Sequence, residues 1–188
     1  VVAQVLARIG DGTARPARHE APKKGHGCFK TVSDAVGAAR QAQLTLVALP
    51  LEKRREIIAN IRKRCAEDVR SLASFAVEET GLGRVEDKIK KNLLVIYRTP
   101  GPEILEPIAF TGDDGLTLIE RAPYGVIAAI TPSTNPTETI ICNGIGMVSG
   151  GNTVVFNTHP GAKGVIAMVI DIINRASMEV GGPDNIMT

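Results

Sequence analysis

Short apolar runs that alternate with helix-length segments constrain this chain more than any other feature of its sequence. The runs cover residues 126–130 and 153–156, with a helix-length segment at 136–149 between them and another at 161–180 after them. Short, wholly apolar runs are typical of strands buried on both faces, and strand, helix, strand, helix is the order of a parallel sheet with crossover helices. The pattern predicts an α/β, Rossmann-like fold.

The last residues extend that pattern. Residues 181–184 (GGPD) are typical of a loop, and residues 185–188 (NIMT) read as the beginning of a third strand. A parallel sheet of two strands and a short third one is too small to stand alone. We therefore expect residues 28–188 to be the front part of a longer domain.

The first two helices before the sheet are predicted from capping residues and from the helical spacing of apolar residues. Thr31 or Ser33 can cap the first helix, and Pro50 separates it from a stronger helix over residues 51–79. The first helix is expected to run through Val32, Val36, Ala39 and Gln43. The apolar face of the second helix consists of Ile57, Ile58, Ile61, Cys65, Val69, Leu72, Ala73 and Ala76.

The opposite face of the second helix is basic, and we interpret it as a solvated surface. Its members are Lys53, Arg54, Arg55, Arg62, Lys63 and Arg64. Gly81 and Gly83 can adopt the positive φ that ends the helix. A third helix is expected over residues 86–98, and residues 116–121 alternate with period two after a turn at 113–115, as in an edge or hairpin strand.

The N-terminal residues differ in composition from the rest. Residues 1–9 place apolar side chains at helical spacing, whereas residues 10–27 are dominated by Gly, Pro, His and charge and are predicted to be a flexible linker. The first nine residues are either a frayed terminus or a docking helix whose apolar face lies in a partner's groove.

Charge and composition exclude several classes of function. The net charge is +2, and four Phe, two Tyr and no Trp offer little for base stacking, so nucleic acid is not an expected partner. Three cysteines without paired spacing predict neither a disulfide framework nor a zinc site, and we expect no metal. No apolar run is long enough for a membrane span and none resembles a secretory signal, so a cytoplasmic location is expected.

Two polar segments occupy the places where a parallel sheet binds ligands, beyond the carboxyl ends of its strands. We call residues 131–136 (TPSTNP) the first corner and residues 157–161 (NTHPG) the second corner. The predicted ligand contacts of the first corner and the strand before it are Ile130, Thr131, Pro132, Ser133, Thr134 and Asn135. Those of the second corner are Asn157, Thr158, His159, Pro160 and Gly161.

Simpler interpretations of these segments remain open. The first corner could serve only to cap the helix that follows it. His159 has no second His, Cys or carboxylate at relay or ligand spacing, so packing against a nucleotide is favoured over catalysis. Cys142 lies a full turn inside a helix and is expected to be an inert thiol.

Several motifs, in order, resemble the front half of the aldehyde dehydrogenase superfamily from residue 29 onward. They include FKTVSDAVGAARQAQ, the segment from LPLEKRRE to VEETGLGR, RAPYGVIAAITPSTNP, GGNTVVFNTHPGAK and GGPDN. Within the superfamily, VEDKIKKN, TGDDGLTLIERAPYG, TPSTNPTET and FNTHPGAK are similar to the CoA-acylating branch of propionaldehyde and acetaldehyde dehydrogenases.

The resemblance implies an oxidoreductase that converts a short-chain, propionaldehyde-like aldehyde, CoA and NAD to acyl-CoA and NADH through a cysteine thioester. Such chemistry needs donors aimed at a developing oxyanion. The family's asparagine donor aligns with Thr134, and Asn135 stands next to it, so we expect Asn135 to be the positioning amide and Thr134 a contact. Relatives hold the adenosine ribose with a lysine and a glutamate, whose positions here carry Asn157 and Pro160.

The resemblance also implies a domain organisation. The catalytic cysteine belongs to a second domain that residue 188 does not reach, so residues 1–188 alone should not acylate CoA. Residues 112–124 are expected to contribute a strand to a homo-oligomer, and residues 1–9 resemble peptides that bind the shell proteins of bacterial microcompartments. Two other classes remain: a non-catalytic nucleotide-binding or shell-docking module, and an aldehyde dehydrogenase that forms acids by hydrolysis.

Overall fold

The structure is a computed structural model and describes residues 25–188. Six helices are present in this range: α1 (Val32–Ala48), α2 (Leu51–Glu67), α3 (Val69–Thr80), α4 (Val85–Arg98), α5 (Pro136–Ser149) and α6 (Lys163–Glu179). The strands are β1 (Ile108–Gly112), β2 (Gly115–Ile119), β3 (Val126–Ile130) and β4 (Thr153–Asn157). Short 3-10 helices cover Pro102–Ile104 and Pro160–Ala162.

A parallel sheet organises the second half of the chain. β3 pairs with β4 from Val126 opposite Thr153 to Ile130 opposite Asn157. Residues 186–188 add on the other side of β4, where the Thr188 N–H donates to the Val154 carbonyl at 2.9 Å and the Phe156 N–H donates to the Thr188 carbonyl at 2.7 Å. The α/β class and the third-strand beginning are therefore confirmed.

β3 is less buried than its apolar sequence predicts. Of its residues only Ala129 is buried, and Ile130 is 83% exposed. Within residues 25–188, β3 pairs only with β4 and is an edge strand. The prediction of burial on both faces is wrong for this strand in the described part of the chain, because α1 and α5 pack mainly on β4 and leave most of β3 uncovered.

The helix predicted over residues 51–79 is two helices that meet at Asp68, where the backbone adopts φ −93° and ψ 6°. Both halves contact α4, α5 and α6, but α2 packs most extensively on α6 and α3 most extensively on α4. All eight predicted apolar positions are buried, so the predicted face is confirmed even though the helix is not continuous.

Two members of the basic face of α2 are structural rather than solvated. Arg54 Nη1 donates to the Ser149 carbonyl at 3.2 Å, at the end of α5. Arg62 donates to the carbonyls of Ile96 and Thr99, at the end of α4. Helix C-termini leave carbonyls without intrahelical partners, and guanidinium groups from α2 satisfy them here.

The first helix begins as predicted, and of the four residues used to predict it only Ala39 is buried. The Thr31 side chain accepts the Asp34 N–H at 3.1 Å and caps α1. The buried residues are Ala35, Ala39, Ala42 and Leu46, whereas Val32 and Val36 are exposed. Small side chains allow close approach to the sheet, where the Thr153 hydroxyl donates to the Ala39 carbonyl at 2.8 Å.

The predicted hairpin strand is confirmed and pairs with β1. The two strands are antiparallel, with Ile108 opposite Ile119 and Gly112 opposite Gly115, and every residue of both strands is exposed.

In residues 25–188 no helix is long and apolar enough to cross a membrane.

The packed chain begins slightly earlier than predicted. The helix proposed for residues 1–9 and the linker as far as residue 24 lie outside the described residues. Residues 25–27, assigned to the linker, form a turn in which Gly27 is buried and the His26 N–H donates to Asp171 Oδ1 at 2.9 Å. The hydrogen bond to Asp171 attaches this part of the predicted linker to α6.

Candidate functional site

The two corners predicted from the sequence meet at the carboxyl ends of β3 and β4. The Thr131 N–H donates to the Asn157 carbonyl at 3.2 Å and continues the strand pairing into both corners. Residues 26 positions apart in the sequence are thus in direct contact, as expected for neighbouring parallel strands.

The corners open into two different cavities rather than one. The larger, of about 530 Å³, is lined by Asn157 and Thr158 of the second corner, by Lys163 and by the turn before α1. The smaller, of about 340 Å³, is lined by Asn135 of the first corner and by residues of α4 and α5. Neither of these two cavities is lined by residues of both corners.

Capping does not account for the polar side chains of the first corner. Asn135 is the N-cap residue of α5, yet no side chain caps that helix. Thr134 and Pro132 are exposed, and Ser133 and Asn135 are half-buried. The Thr131 hydroxyl is buried and has no hydrogen-bond partner in the part of the chain that the structure describes. The capping-only interpretation of this corner is therefore wrong.

Helix α4 contacts the first corner through two lysines that sequence reasoning missed. Lys88 Nζ donates to the Thr134 carbonyl at 2.5 Å, and Lys91 Nζ donates to Asn135 Oδ1 at 2.6 Å. Lys88 is buried and lies 3.5 Å from the carboxylate of Glu138, which is buried in the first turn of α5. Periodicity places both lysines on one helix face, but no local signal shows what that face contacts.

The second corner is open to solvent at most of its positions. Asn157, His159, Pro160 and Gly161 are exposed and Thr158 is half-buried. His159 Nδ1 accepts the Gly161 N–H at 3.1 Å, so this ring nitrogen has a local capping role. Within residues 25–188 no three His, Cys, Asp or Glu side chains are grouped as metal ligands.

Glu79 of α3 occupies the N-terminus of α6, next to the second corner. Its carboxylate oxygens accept the N–H groups of Gly164 and Val165, each at 2.7 Å. A helix N-terminus attracts anions, and here the protein's own carboxylate fills that place. The N–H groups of Gly164 and Val165 are therefore already paired, and Lys163 is the member of this helix end that lines the larger cavity.

The three cysteines are free and differ in exposure. Cys65 is fully buried among apolar side chains, as predicted, and burial raises the pKa of its thiol to about 12. Burial, followed by the nearby charge of Asp171, also raises the pKa of Cys28. Cys142 is half-buried in the wall of the smaller cavity, which is more open than its apolar neighbours in the sequence indicate.

Fold and corners together define a class: a Rossmann-like α/β domain whose polar residues lie beyond the carboxyl ends of adjacent parallel strands. The particular family follows from sequence comparison. The chain belongs to the aldehyde dehydrogenase family, whose sequence profile matches residues 19–188.

Individual relatives place it near the CoA-acylating enzymes of that family. An acetaldehyde dehydrogenase (acetylating) of Bilophila wadsworthia is 50% identical over 161 residues, which is 86% of this chain and 33% of that protein. The propionaldehyde dehydrogenase of the Clostridium phytofermentans fucose utilisation bacterial microcompartment is 51% identical, with a TM-score of 0.83 over 86% of this chain and 37% of that one.

A third relative was solved with ligands. Rhodopseudomonas palustris propionaldehyde dehydrogenase, with bound CoA and an acylated cysteine, is 44% identical and matches with a TM-score of 0.83, covering 86% of this chain and 37% of that one. The chain thus spans 33–37% of the length of these three relatives.

Proposed function

We propose that the complete gene product containing this chain is a CoA-acylating aldehyde dehydrogenase that converts a short-chain, propionaldehyde-like aldehyde, CoA and NAD to acyl-CoA and NADH. The observation that carries the proposal is the contact between two polar corners that open into separate cavities. One cavity suits an adenine nucleotide and the other a small acyl group, and the corners join them at the sheet edge.

The residues around the larger cavity fit an adenine nucleotide. The Thr188 hydroxyl is buried beside it without a partner among the described residues, and Asn157 and Thr158 add polar groups suited to a ribose. Lys163 supplies a cation suited to a phosphate. When bound, NAD supplies the hydride acceptor of the reaction.

In the proposed reaction a cysteine thiolate from outside these residues adds to the aldehyde carbon and forms a thiohemiacetal. Loss of hydride from that carbon leaves a thioester, and attack by the CoA thiol then releases acyl-CoA and regenerates the cysteine. Negative charge develops on the former aldehyde oxygen in both additions. Asn135 is the amide donor proposed for that oxygen, with Thr134 as a contact.

The second corner bears on cofactor choice. With Asn157 and Pro160, this corner has no carboxylate to hold a ribose hydroxyl or to repel a ribose phosphate, so the same cavity can receive NAD first and CoA afterwards. In the double variant N157K/P160E we expect CoA to bind about fivefold more weakly. The reason is that repulsion between the carboxylate introduced at position 160 and a ribose phosphate costs about 1 kcal/mol at an exposed site. Unchanged affinity for both NAD and CoA contradicts contact between the second corner and these nucleotides.

The direct test of the reaction is NADH formation from propionaldehyde by the complete gene product, with and without CoA. Steady formation that depends on CoA, with acyl-CoA as product, is the expected result. CoA-independent formation of an acid identifies a hydrolytic aldehyde dehydrogenase instead. Nucleotide binding without any turnover identifies a non-catalytic binding or docking module.

Assembly and location belong to the same proposal. We propose a homo-oligomer formed through the hairpin of β1 and β2, and docking of residues 1–9 to a microcompartment shell protein within the cytoplasm. Fusion of residues 1–27 to a fluorescent reporter in a shell-producing cell tests the second part. Puncta that coincide with shells support docking, whereas diffuse fluorescence identifies an ordinary N-terminal extension.

A further inference from the structure

Two lysines of α4 hold two consecutive residues of the first corner. Lys88 Nζ donates to the Thr134 carbonyl and Lys91 Nζ donates to the Asn135 side-chain oxygen, at 2.5 and 2.6 Å. The lysines are three residues apart, so they project from one face of the helix. One rigid element therefore controls both the backbone and the side chain at this point of the site.

Lys88 is a buried, paired lysine rather than a surface charge. It is 3% exposed, and its ammonium lies 3.5 Å from the carboxylate of Glu138, which is 5% exposed. The other oxygen of this carboxylate accepts the Thr137 hydroxyl at 3.0 Å. A buried ion pair depends on further hydrogen bonds, and here Lys88 has the Thr134 carbonyl and Glu138 Oε2 has the Thr137 hydroxyl, while Glu138 Oε1 has no hydrogen-bond partner among the described residues. The pair joins α4 to the first turn of α5.

The contact with Lys91 fixes the orientation of the Asn135 amide. An ammonium group has only donors, so it can face the amide oxygen but not the amide nitrogen. The two N–H donors of Asn135 are therefore turned away from Lys91. Asn135, Lys91 and Glu138 all line the smaller cavity, so this contact borders the space proposed for the acyl group.

We propose that Lys91, supported by Lys88, is a positioning residue that orients the Asn135 amide toward the oxygen on which negative charge develops. The inference rests on the proposed function and deepens it. Lys91 acts through Asn135 and not by its own contact with the reacting atoms. Its side chain matters because preorganised donors stabilise the transition state without reorienting during the reaction.

The test compares Lys91→Met with Lys90→Met in the complete gene product. Lys90 is exposed like Lys91 and serves as a matched loss of charge. We expect K91M to lower kcat by about ten- to a hundredfold with little change in the KM for aldehyde, since the lost interaction operates in the transition state. K91R should recover part of the loss, and K90M should behave as wild type.

A double-mutant cycle with Asn135→Ala separates positioning from direct action. If Lys91 works through Asn135, the K91M/N135A double variant is no slower than N135A alone. Additive losses, or equal rates for K91M and K90M, overturn the inference while CoA acylation by the wild type stands. A wild-type protein that makes no acyl-CoA overturns the proposed function and the inference together.

Discussion

Glu79 is the residue whose role depends most on packing. It follows the last buried turn of α3, and its carboxylate caps α6 more than eighty positions away. Gly164 lies so close that a side chain there would meet Phe75 and Glu79 within 3 Å. Close packing at Gly164 and the hydrogen bonds of the Glu79 carboxylate therefore connect α3 to α6.

Replacement of Glu79 by Ala is expected to lower the free energy of unfolding by about 1–2 kcal/mol, because two helix N–H groups lose a charged acceptor. Urea denaturation of the complete gene product measures the loss. Glu78→Ala is the control, since Glu78 is the exposed neighbour in the same turn. Equal midpoints for the two variants contradict the capping role.

Cys65 is expected to resist alkylation in the folded protein between about pH 7 and 10, because the reacting species is the thiolate and its pKa is raised to about 12 by burial. Cys28, which is exposed, is the internal control and should react as the pH rises. Mass spectrometry after iodoacetamide treatment, with and without urea, reads the result. Labelling of Cys65 before unfolding contradicts its burial.

The raised pKa of Cys65 also has a consequence for stability. The folded state keeps this proton at pH values where the unfolded chain, with an ordinary thiol pKa near 9.0, releases it. The contribution is fully present below that value and is lost as the pH rises toward 12. Stability should therefore fall on the alkaline side for this group.

The helices show which features the spacing of apolar residues predicts and which it does not. Helical spacing predicted the buried face of α2 and α3 correctly but not the break at Asp68, because a small change in backbone angles leaves the period intact. In α1 the two Val residues used to predict the helix are exposed, and the buried face consists of three Ala residues and Leu46. Close contact with a sheet selects small side chains, and apolar size alone does not reveal this.

The turn before α1 offers a test at this scale. Gly27 has φ +79°, and a Cβ there would lie 2.4 Å from the Met187 carbonyl oxygen. Gly27→Ala should lower the free energy of unfolding by more than about 2 kcal/mol, the sum of left-handed backbone strain and overlap with residues of α6 and the third strand. Gly81→Ala, with φ +68° but open space, should cost only about 1 kcal/mol.

Thermal or urea denaturation of both variants separates the two effects. A difference in stability between them measures overlap alone, since both carry the same kind of backbone strain. Equal losses contradict the close packing of residues 25–27 on the sheet and α6.

At the scale of the whole molecule, the hairpin is the feature that the described chain leaves uncovered. Its apolar side chains Ile108, Phe110, Leu116, Leu118 and Ile119 are 42–68% exposed. Residues on both faces of the hairpin are apolar, which is unusual for an isolated two-stranded ribbon in water. The pattern supports the proposed role in assembly.

The double variant F110S/L118S is expected to shift the complete gene product to a smaller species in analytical ultracentrifugation, because each change removes apolar area from the proposed interface. Leu44→Ser is the control, an exposed apolar residue of α1 outside the hairpin. An unchanged mass in the double variant contradicts assembly through the hairpin.

The candidate site could be predicted in part. TPSTNP and NTHPG were recognisable because each follows an apolar strand and precedes a helix, and their contact follows from the parallel order of β3 and β4. The division into two cavities was not predictable, because it depends on α4 covering one corner and the turn before α1 covering the other.

The amino-acid sequence by itself determined the order of elements, the α/β class, most buried faces and the location of both corners. These properties follow from spacing along the chain, and spacing is local. Only the tertiary structure decided that Lys88 and Lys91 hold Thr134 and Asn135, and that Glu79 caps α6. A polar side chain takes its partner from whatever packing brings within 3 Å, and residues distant in sequence supply that partner here.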